Sequence, residues 1–214
     1  MMEKDRLLGR YRSLLVSVEP ACLVAVSKTV DVGRIRVLLD AGHRVWGENR
    51  VQEAEQKWRG LRDEYKGIEL HFIGHLQSNK VGKAFALFDV IESLDRESLA
   101  RACAAEKARR GMCPRLWVQV NIGDEAQKGG VDVRAYDDFV AWVRGDLGLV
   151  VEGVMGIPPV GEDAGVYFER LAGLARGSAM RFVSMGMSGD YGQAIEKGAT
   201  HVRLGSALFG ARKG

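Results

Sequence analysis

Eight short apolar runs, at 23–28, 44–48, 69–74, 89–94, 115–122, 150–157, 181–186 and 201–205, recur along the chain with amphipathic stretches between them. This alternation constrains the fold more than any other feature. Their nearly continuous hydrophobicity suits parallel strands covered on the outside, not a sheet wetted on one face. Helical spacing returns between them, as in Val51, Ala54 and Trp58 and again in Tyr167, Leu171 and Leu174. Strand, helix, strand repeated eight times closes most economically into a single (β/α)₈ TIM barrel. The segment 5–17 precedes the first strand and is expected to be an extra N-terminal helix packed on that barrel. An open doubly wound sheet is the rival, but its first turn would carry Gly-x-Gly-x-x-Gly, which this chain lacks. No Pro/Ser-rich linker or shift of composition interrupts the 214 residues, so residues 1–214 are expected to form one domain.

Local signals mark several boundaries. Asp95 stands as an N-cap, with Glu97 in the first turn, Lys107, Arg109 and Arg110 in the last, and Gly111 as the stop. Asp132 plays a similar starting role before Tyr136, Phe139, Val140 and Val143. A short final helix is expected from Ala207 to Ala211.

Charge and cysteine usage remove whole classes of function. The formal net charge is +3, with no block of like charges, and aromatic residues do not interleave with basic ones; neither nucleic acid nor a membrane is an expected partner. Cys22, Cys103 and Cys113 are odd in number and lack Cys-x-x-Cys spacing, which argues against a disulfide framework and a structural zinc site. No histidine or carboxylate pair stands at metal-ligand spacing, so no metal is expected. The first residues have no signal-peptide character, and no run reaches the roughly 18 apolar residues of a membrane span. A cytoplasmic setting is the expectation.

In a (β/α)₈ barrel, function lies at the carboxyl ends of the strands. Lys28 closes the first strand between polar Ser27 and Thr29. A lone lysine there would ordinarily run its stem along the strand end and put its charge in water. Two glycine- and serine-rich turns change that reading. Ser184-Met185-Gly186-Met187-Ser188 follows the seventh strand, and Gly205-Ser206 follows the eighth. Loops after strands seven and eight commonly hold phosphate in this barrel, because glycine admits a close backbone approach and exposed amides attract an anion. An amine facing two phosphate-binding turns is what an aldehyde-bearing phosphate cofactor needs, and that pairing suggests pyridoxal 5′-phosphate (PLP).

Other residues join the candidate set. Asn49 ends the second strand, either hydrogen-bonding the cofactor ring or its phenolate oxygen or capping a helix over 50–58. Glu48 beside it would pair with Lys28 or Arg203, or serve only the helix start. Arg203 lies in the otherwise apolar eighth strand and needs an acceptor, either a carboxylate such as Glu48 or a pyridine nitrogen. An arginine partner keeps its proton, leaves the pyridine nitrogen unprotonated and makes the ring a poor electron sink. That disfavours transaminase and decarboxylase chemistry. His71 is expected to be a satisfied core histidine, while His75 and Gln77 lie in a loop near the mouth.

Taken together these stretches resemble the pyridoxal phosphate homeostasis proteins. The resemblance is carried by Val26-Ser27-Lys28-Thr29, Gly47-Glu48-Asn49 with Gln52-Glu53, and His71 through Lys80. It continues through Val120-Asn121-Ile122 with Lys128 and Gly130, Gly153 through Pro158, Ser184 through Ser188, and Gly198 through Ser206 with Phe209-Gly210-Ala211-Arg212. The resemblance implies a barrel similar to the N-terminal domain of alanine racemase, with PLP held as a Schiff base on Lys28. It also implies phosphate at Ser184, Gly186, Ser188, Gly205 and Ser206, and Arg203 facing the ring nitrogen. The implied role is vitamin B6 homeostasis without established catalysis, in a chain expected to be monomeric and to supply PLP-dependent apo-enzymes. Three rivals stand beside it: an amino-acid racemase, a Schiff-base barrel enzyme acting on phosphorylated substrates without PLP, and a cofactor-free interaction module. A racemase would need a second acid/base opposite Lys28, and 214 residues are expected to be used up by the barrel.

Overall fold

The computed structural model describes residues 2–125 and 129–210. Lys128, Ala211 and Arg212, which take part in the resemblance, and the expected end of the last helix at Ala211 lie outside the described residues.

Nine strands and nine α-helices alternate among the described residues. The order is α1 Met2–Ser17, β1 Cys22–Val26, α2 Val32–Asp40, β2 Val45–Glu48, α3 Val51–Glu64, β3 Glu69–Phe72, α4 Val81–Leu87, β4 Val90–Leu94 and α5 Glu97–Arg110. It continues with β5 Arg115–Asn121, β6 Val131–Asp132, α6 Tyr136–Gly145, β7 Val151–Gly156, α7 Ala164–Gly177, β8 Phe182–Ser184, α8 Tyr191–Glu196, β9 His201–Leu204 and α9 Ser206–Phe209. All pairings are parallel, in the order β4-β3-β2-β1-β9-β8-β7-β5, and a further β4–β5 pairing closes the ring. The eight expected strands are therefore the eight staves of a closed parallel barrel. The two-residue β6, which the sequence reading did not foresee, pairs with the end of β5 outside the ring.

The outer core explains why the helices lie where they do. In α3 the residues Val51, Ala54, Trp58 and Leu61 recur on one face and are buried against the sheet. Trp58 packs on Trp46 of β2 with ring centroids 5.1 Å apart, and both indoles are fully buried. Burial of side chains this large contributes about 2–3 kcal/mol each relative to exposure. The extra helix α1 buries Leu7, Tyr11 and Leu14, as expected, and begins three residues earlier than the pattern suggested. Among the described residues no helix is long and apolar enough to cross a membrane.

Some boundary signals act differently from expectation. Asp95 does not cap α5: Arg96 holds the cap position without a side-chain bond, and Asp95 instead pairs with Arg96 and, at 3.2 Å, with His75. Gly111 does end α5, in the left-handed conformation at φ 71°, with its N–H on the Lys107 carbonyl. Asp132 starts a short 3₁₀ turn, Val133–Ala135, by accepting from the Arg134 amide, and α6 follows that turn. The last helix is Ser206–Phe209, starting one residue before expectation. Asn49 is not a helix cap either, because Arg50 occupies that position before α3.

Candidate functional site

Lys28 follows the buried Ser27 just past the carboxyl end of β1, and it is half-buried. The peptide groups on either side of it are held by side chains of β2 and α3. Lys57 Nζ donates to the Ser27 carbonyl at 2.7 Å, and the Ser27 hydroxyl donates to Glu48 Oε1 at 2.7 Å. On the other side the Thr29 amide donates to Glu53 Oε1 at 2.6 Å, and Thr29 has φ 61°, in the left-handed region. Lys57 also bridges Glu53 at 2.9 Å and the fully buried Glu48 at 2.6 Å, and the Trp58 indole N–H donates to that same Glu48 oxygen at 3.0 Å. Glu48 is thus the partner of Lys57, not of Lys28 or Arg203. Burial raises the Glu53 carboxyl, but the hydrogen bonds from Lys57 and the Thr29 amide outweigh it and hold the group below the usual range.

The second half of the site comes from the far end of the chain. Parallel pairing of β1 with β9, in register from Cys22↔His201 to Ala25↔Leu204, brings Gly205 and Ser206 beside Lys28. Lys28, Thr29, Val26, Gly205, Ser206 and Phe209 line one cleft, which α1 and α2 complete. A Cβ on Gly205 would meet only Val26, at 3.6 Å, so the backbone here stands open to a neighbour. Ser188 joins the two turns: its Oγ accepts from the Ala207 amide at 3.0 Å.

Gly186 has a different reason to be glycine. Its φ is +88°, and a Cβ would stand 2.5 Å from the Ala194 methyl. The Gly186 carbonyl accepts from the Arg203 amide at 2.9 Å, so this turn is packed against β9 and α8.

Arg203 and Ser184 lie inside the barrel. Arg203 Nη1 donates to Ser184 Oγ at 2.7 Å and Nη2 to the Gly156 carbonyl at 3.0 Å, with both side chains buried. The Ser184 hydroxyl is therefore engaged with Arg203 beneath the turn. Asn49 keeps its Oδ1 occluded, without a hydrogen-bond partner among the described residues. An unsatisfied acceptor of this kind costs about 1–3 kcal/mol, a cost that a ligand donor would relieve. His75, which is exposed, and Gln77 do not line the cleft of Lys28, and neither do Asn49, Ser184, Gly186, Ser188 and Arg203.

Lower in the barrel the interior holds a charge network. His71 Nδ1 faces Glu92 at 2.6 Å, its Nε2 faces Glu69 at 2.8 Å, and Arg115 pairs with Glu69 at 2.6 Å. Burial alone would lower the His71 pKa, but the hydrogen bonds and charges of the two carboxylates raise it above the usual value. The hydrogen bond from His71 is the main reason Glu69 falls to about 2. His71 is the satisfied core histidine the sequence suggested. His201 joins it, so that donor atoms of Glu69, His71 and His201 come within 4.8 Å of one another, a cluster that no spacing in the sequence announces.

Sequence reasoning assigned Glu53 no role beyond its place in the resemblance, and it missed Lys57 and Glu92. The first two carried a legible signal, an i,i+4 acid–base pair on the helix that follows the second strand. Glu92 had none, because its partners lie 21 residues away at His71 and across the barrel at Arg203.

The family model described as alanine racemase, N-terminal domain, matches residues 3–213. A pyridoxal phosphate homeostasis protein of Aquifex aeolicus is 39% identical over 202 residues, 90% of this chain and 88% of the relative. The structure of PipY from Synechococcus elongatus with PLP bound superposes with a TM-score of 0.86 at 33% identity, over 95% of this chain and 100% of PipY. Alanine racemase of Corynebacterium glutamicum shares the fold, with a TM-score of 0.77 at 18% identity, over 98% of this chain and 62% of the racemase. The chain belongs to the pyridoxal phosphate homeostasis protein family, within the alanine racemase N-terminal domain fold.

Proposed function

We propose that this member of the family binds pyridoxal 5′-phosphate, held as a Schiff base on Lys28, and serves PLP homeostasis in the cytoplasm. The observation that carries the reading is the meeting of Lys28 with Gly205 and Ser206 on one cleft, with both peptide groups beside Lys28 hydrogen-bonded in place. The PLP-bound relative at 33% identity supports the same ligand. When bound, PLP supplies an aldehyde that condenses with an amine and releases water.

The chain's own residues divide the remaining work. Gly205, Ser206, Ser188 and the Gly186 turn receive the phosphate through amides and hydroxyls. Arg203 offers the ring nitrogen donors beyond the two already given to Ser184 and Gly156, and Ser184 fixes its guanidinium. Since a guanidinium keeps its proton, the ring is a weak electron sink, which suits carriage more than turnover. Asn49, with its unsatisfied oxygen, offers the amide that meets the polar edge of the ring. In this reading the chain is one monomeric domain, and PLP-dependent apo-enzymes receive what it releases.

Titration of the purified chain with PLP and with pyridoxal, which lacks the phosphate, tests the site. PLP should develop a visible absorption band and bind at least about tenfold more tightly than pyridoxal. Equal affinity for the two would overturn the placement of the phosphate. Incubation of the PLP-loaded protein with L- and D-alanine should leave their chirality unchanged. Racemisation at about 1 per second or faster would restore the racemase.

A further inference from the structure

We infer that Glu53 and Lys57 of α3, with Glu48 beneath them, are positioning residues for the Lys28 amine. The inference rests on the reading of Lys28 given above. It starts from a buried ion pair that stability alone explains poorly. Glu48 is fully buried and Lys57 nearly so, at 0% and 10% side-chain exposure. A buried pair of this kind roughly breaks even against apolar residues of the same size, because desolvation offsets the attraction. Besides this, Lys57 holds the backbone before one particular lysine, and its other partner, Glu53, holds the backbone after it.

Three contacts define the arrangement. Lys57 Nζ donates to the Ser27 carbonyl at 2.7 Å. Glu48 Oε1 accepts from the Ser27 hydroxyl at 2.7 Å. Glu53 Oε1, itself bound to Lys57 at 2.9 Å, accepts from the Thr29 amide at 2.6 Å. Thr29 is β-branched and sits at φ 61°, a conformation such residues rarely adopt and one that persists when the surroundings over-determine it. The bond to Glu53 and the turn bond from the Val30 amide to the Ser27 carbonyl, at 3.0 Å, hold it together. The Cα of Lys28 is thus fixed between two anchored peptide planes, and the four-carbon stem leaves from a defined point on the cleft it shares with Gly205 and Ser206. Reactions of oriented groups respond steeply to displacement, so a small shift of this anchor should weaken attack on a bound aldehyde far more than binding of the rest of the ligand.

The test compares two ligands on the full chain. PLP carries the aldehyde; pyridoxine 5′-phosphate carries an alcohol in its place and binds through phosphate and ring only. Lys57→Met keeps the stem and removes the ammonium. Because it leaves Glu48 without its cation and endangers folding, Glu53→Ala, at a half-exposed position, serves as the second variant. Lys28→Ala is the control. In Lys57→Met and Glu53→Ala the affinity for PLP should fall about tenfold, while that for pyridoxine 5′-phosphate stays within about twofold of the parent. A parallel loss for both ligands would make these residues merely structural and overturn the proposal, as would no loss for either. If Lys28→Ala leaves PLP affinity unchanged, the Schiff-base reading itself fails, whatever the other two variants do.

Discussion

The two ends of the barrel interior use the same kinds of residue to opposite effect. Toward the base, His71 lies between Glu92 and Glu69, Glu69 is also met by Arg115, and the His201 ring is bonded to Thr200 and enclosed by Trp117 and Phe182. The charges there face one another, although Glu92 Oε2 and the Trp117 indole N–H are buried without a hydrogen-bond partner among the described residues. At the mouth the arrangement is open: Lys28 stands on a cleft, a Cβ on Gly205 would stand at ordinary contact distance from Val26, and Asn49 Oδ1 has no partner among the described residues. Arg203 lies between the two, tied down by Ser184 and Gly156 and in the field of Glu92. Charges that face one another fix the base of the barrel, whereas a cleft lined by Lys28, Gly205 and Ser206 gives a ligand room. Access to a cleft, more than residue type, separates the two regions.

The comparison can be broken most forcefully at Glu92. Replacing it by leucine leaves His71 and Arg203 without a shared counter-charge, which should cost about 3–5 kcal/mol of unfolding free energy in urea titration. A cost below about 1 kcal/mol would mean that the base is not a coupled network. At the mouth, Lys28→Ala should do the reverse. The visible PLP band should disappear and affinity fall about a hundredfold or more, with the melting temperature of the ligand-free protein unchanged within about 2 °C.

The two glycine turns sharpen the contrast on a smaller scale. Gly186→Ala meets both a positive φ and the Ala194 methyl, and should lower stability by about 1–3 kcal/mol. Gly205→Ala meets only Val26 at contact distance, so the fold should tolerate it while PLP affinity falls about tenfold. If both variants lose stability equally, the second turn is part of the packing and not an open cradle.

The smallest effect is in the pH dependence. Burial lowers His201 and His43 to about 4, so both are neutral in the fold while the unfolded chain takes up protons near 6.5. Stability from these two is present above pH 6.5 and is lost as the pH falls toward 4. His71 works in the other sense, since its raised pKa stabilises the fold below 6.5 and that contribution fades as pH rises through the folded value. Glu69 adds a loss at still lower pH, between about 4.5 and about 2. Replacing His201 by glutamine should flatten the slope between pH 6.5 and 4 by on the order of 1 kcal/mol, and an unchanged slope would place the loss elsewhere.

The barrel was legible because its signal is local: eight apolar runs of strand length, each followed by a helical face. The placing of Lys28, Gly205 and Ser206 on one cleft was legible for the same reason, since strand ends and the turns after strands seven and eight mark the mouth. Pairing was not. Glu48 stands next to Asn49 at a strand end, and nothing in the chain order says that its partner is Lys57, nine residues on, in place of Lys28 or Arg203. Ser184 lay in a serine-glycine turn and read as a phosphate ligand, but alternation along β8 points its hydroxyl inward to Arg203. Which face a strand-end residue takes, and which charge crosses the barrel to meet it, is decided by closure of the ring.

The central claim is that Lys28 is the amine that carries PLP. Incubation of the purified chain with PLP, reduction with borohydride and peptide mass spectrometry test it most directly. The account predicts a pyridoxyl group on the peptide containing Lys28 and its absence from that peptide when pyridoxine 5′-phosphate replaces PLP. A tag found mainly on another lysine, or no tag after PLP treatment, would contradict it.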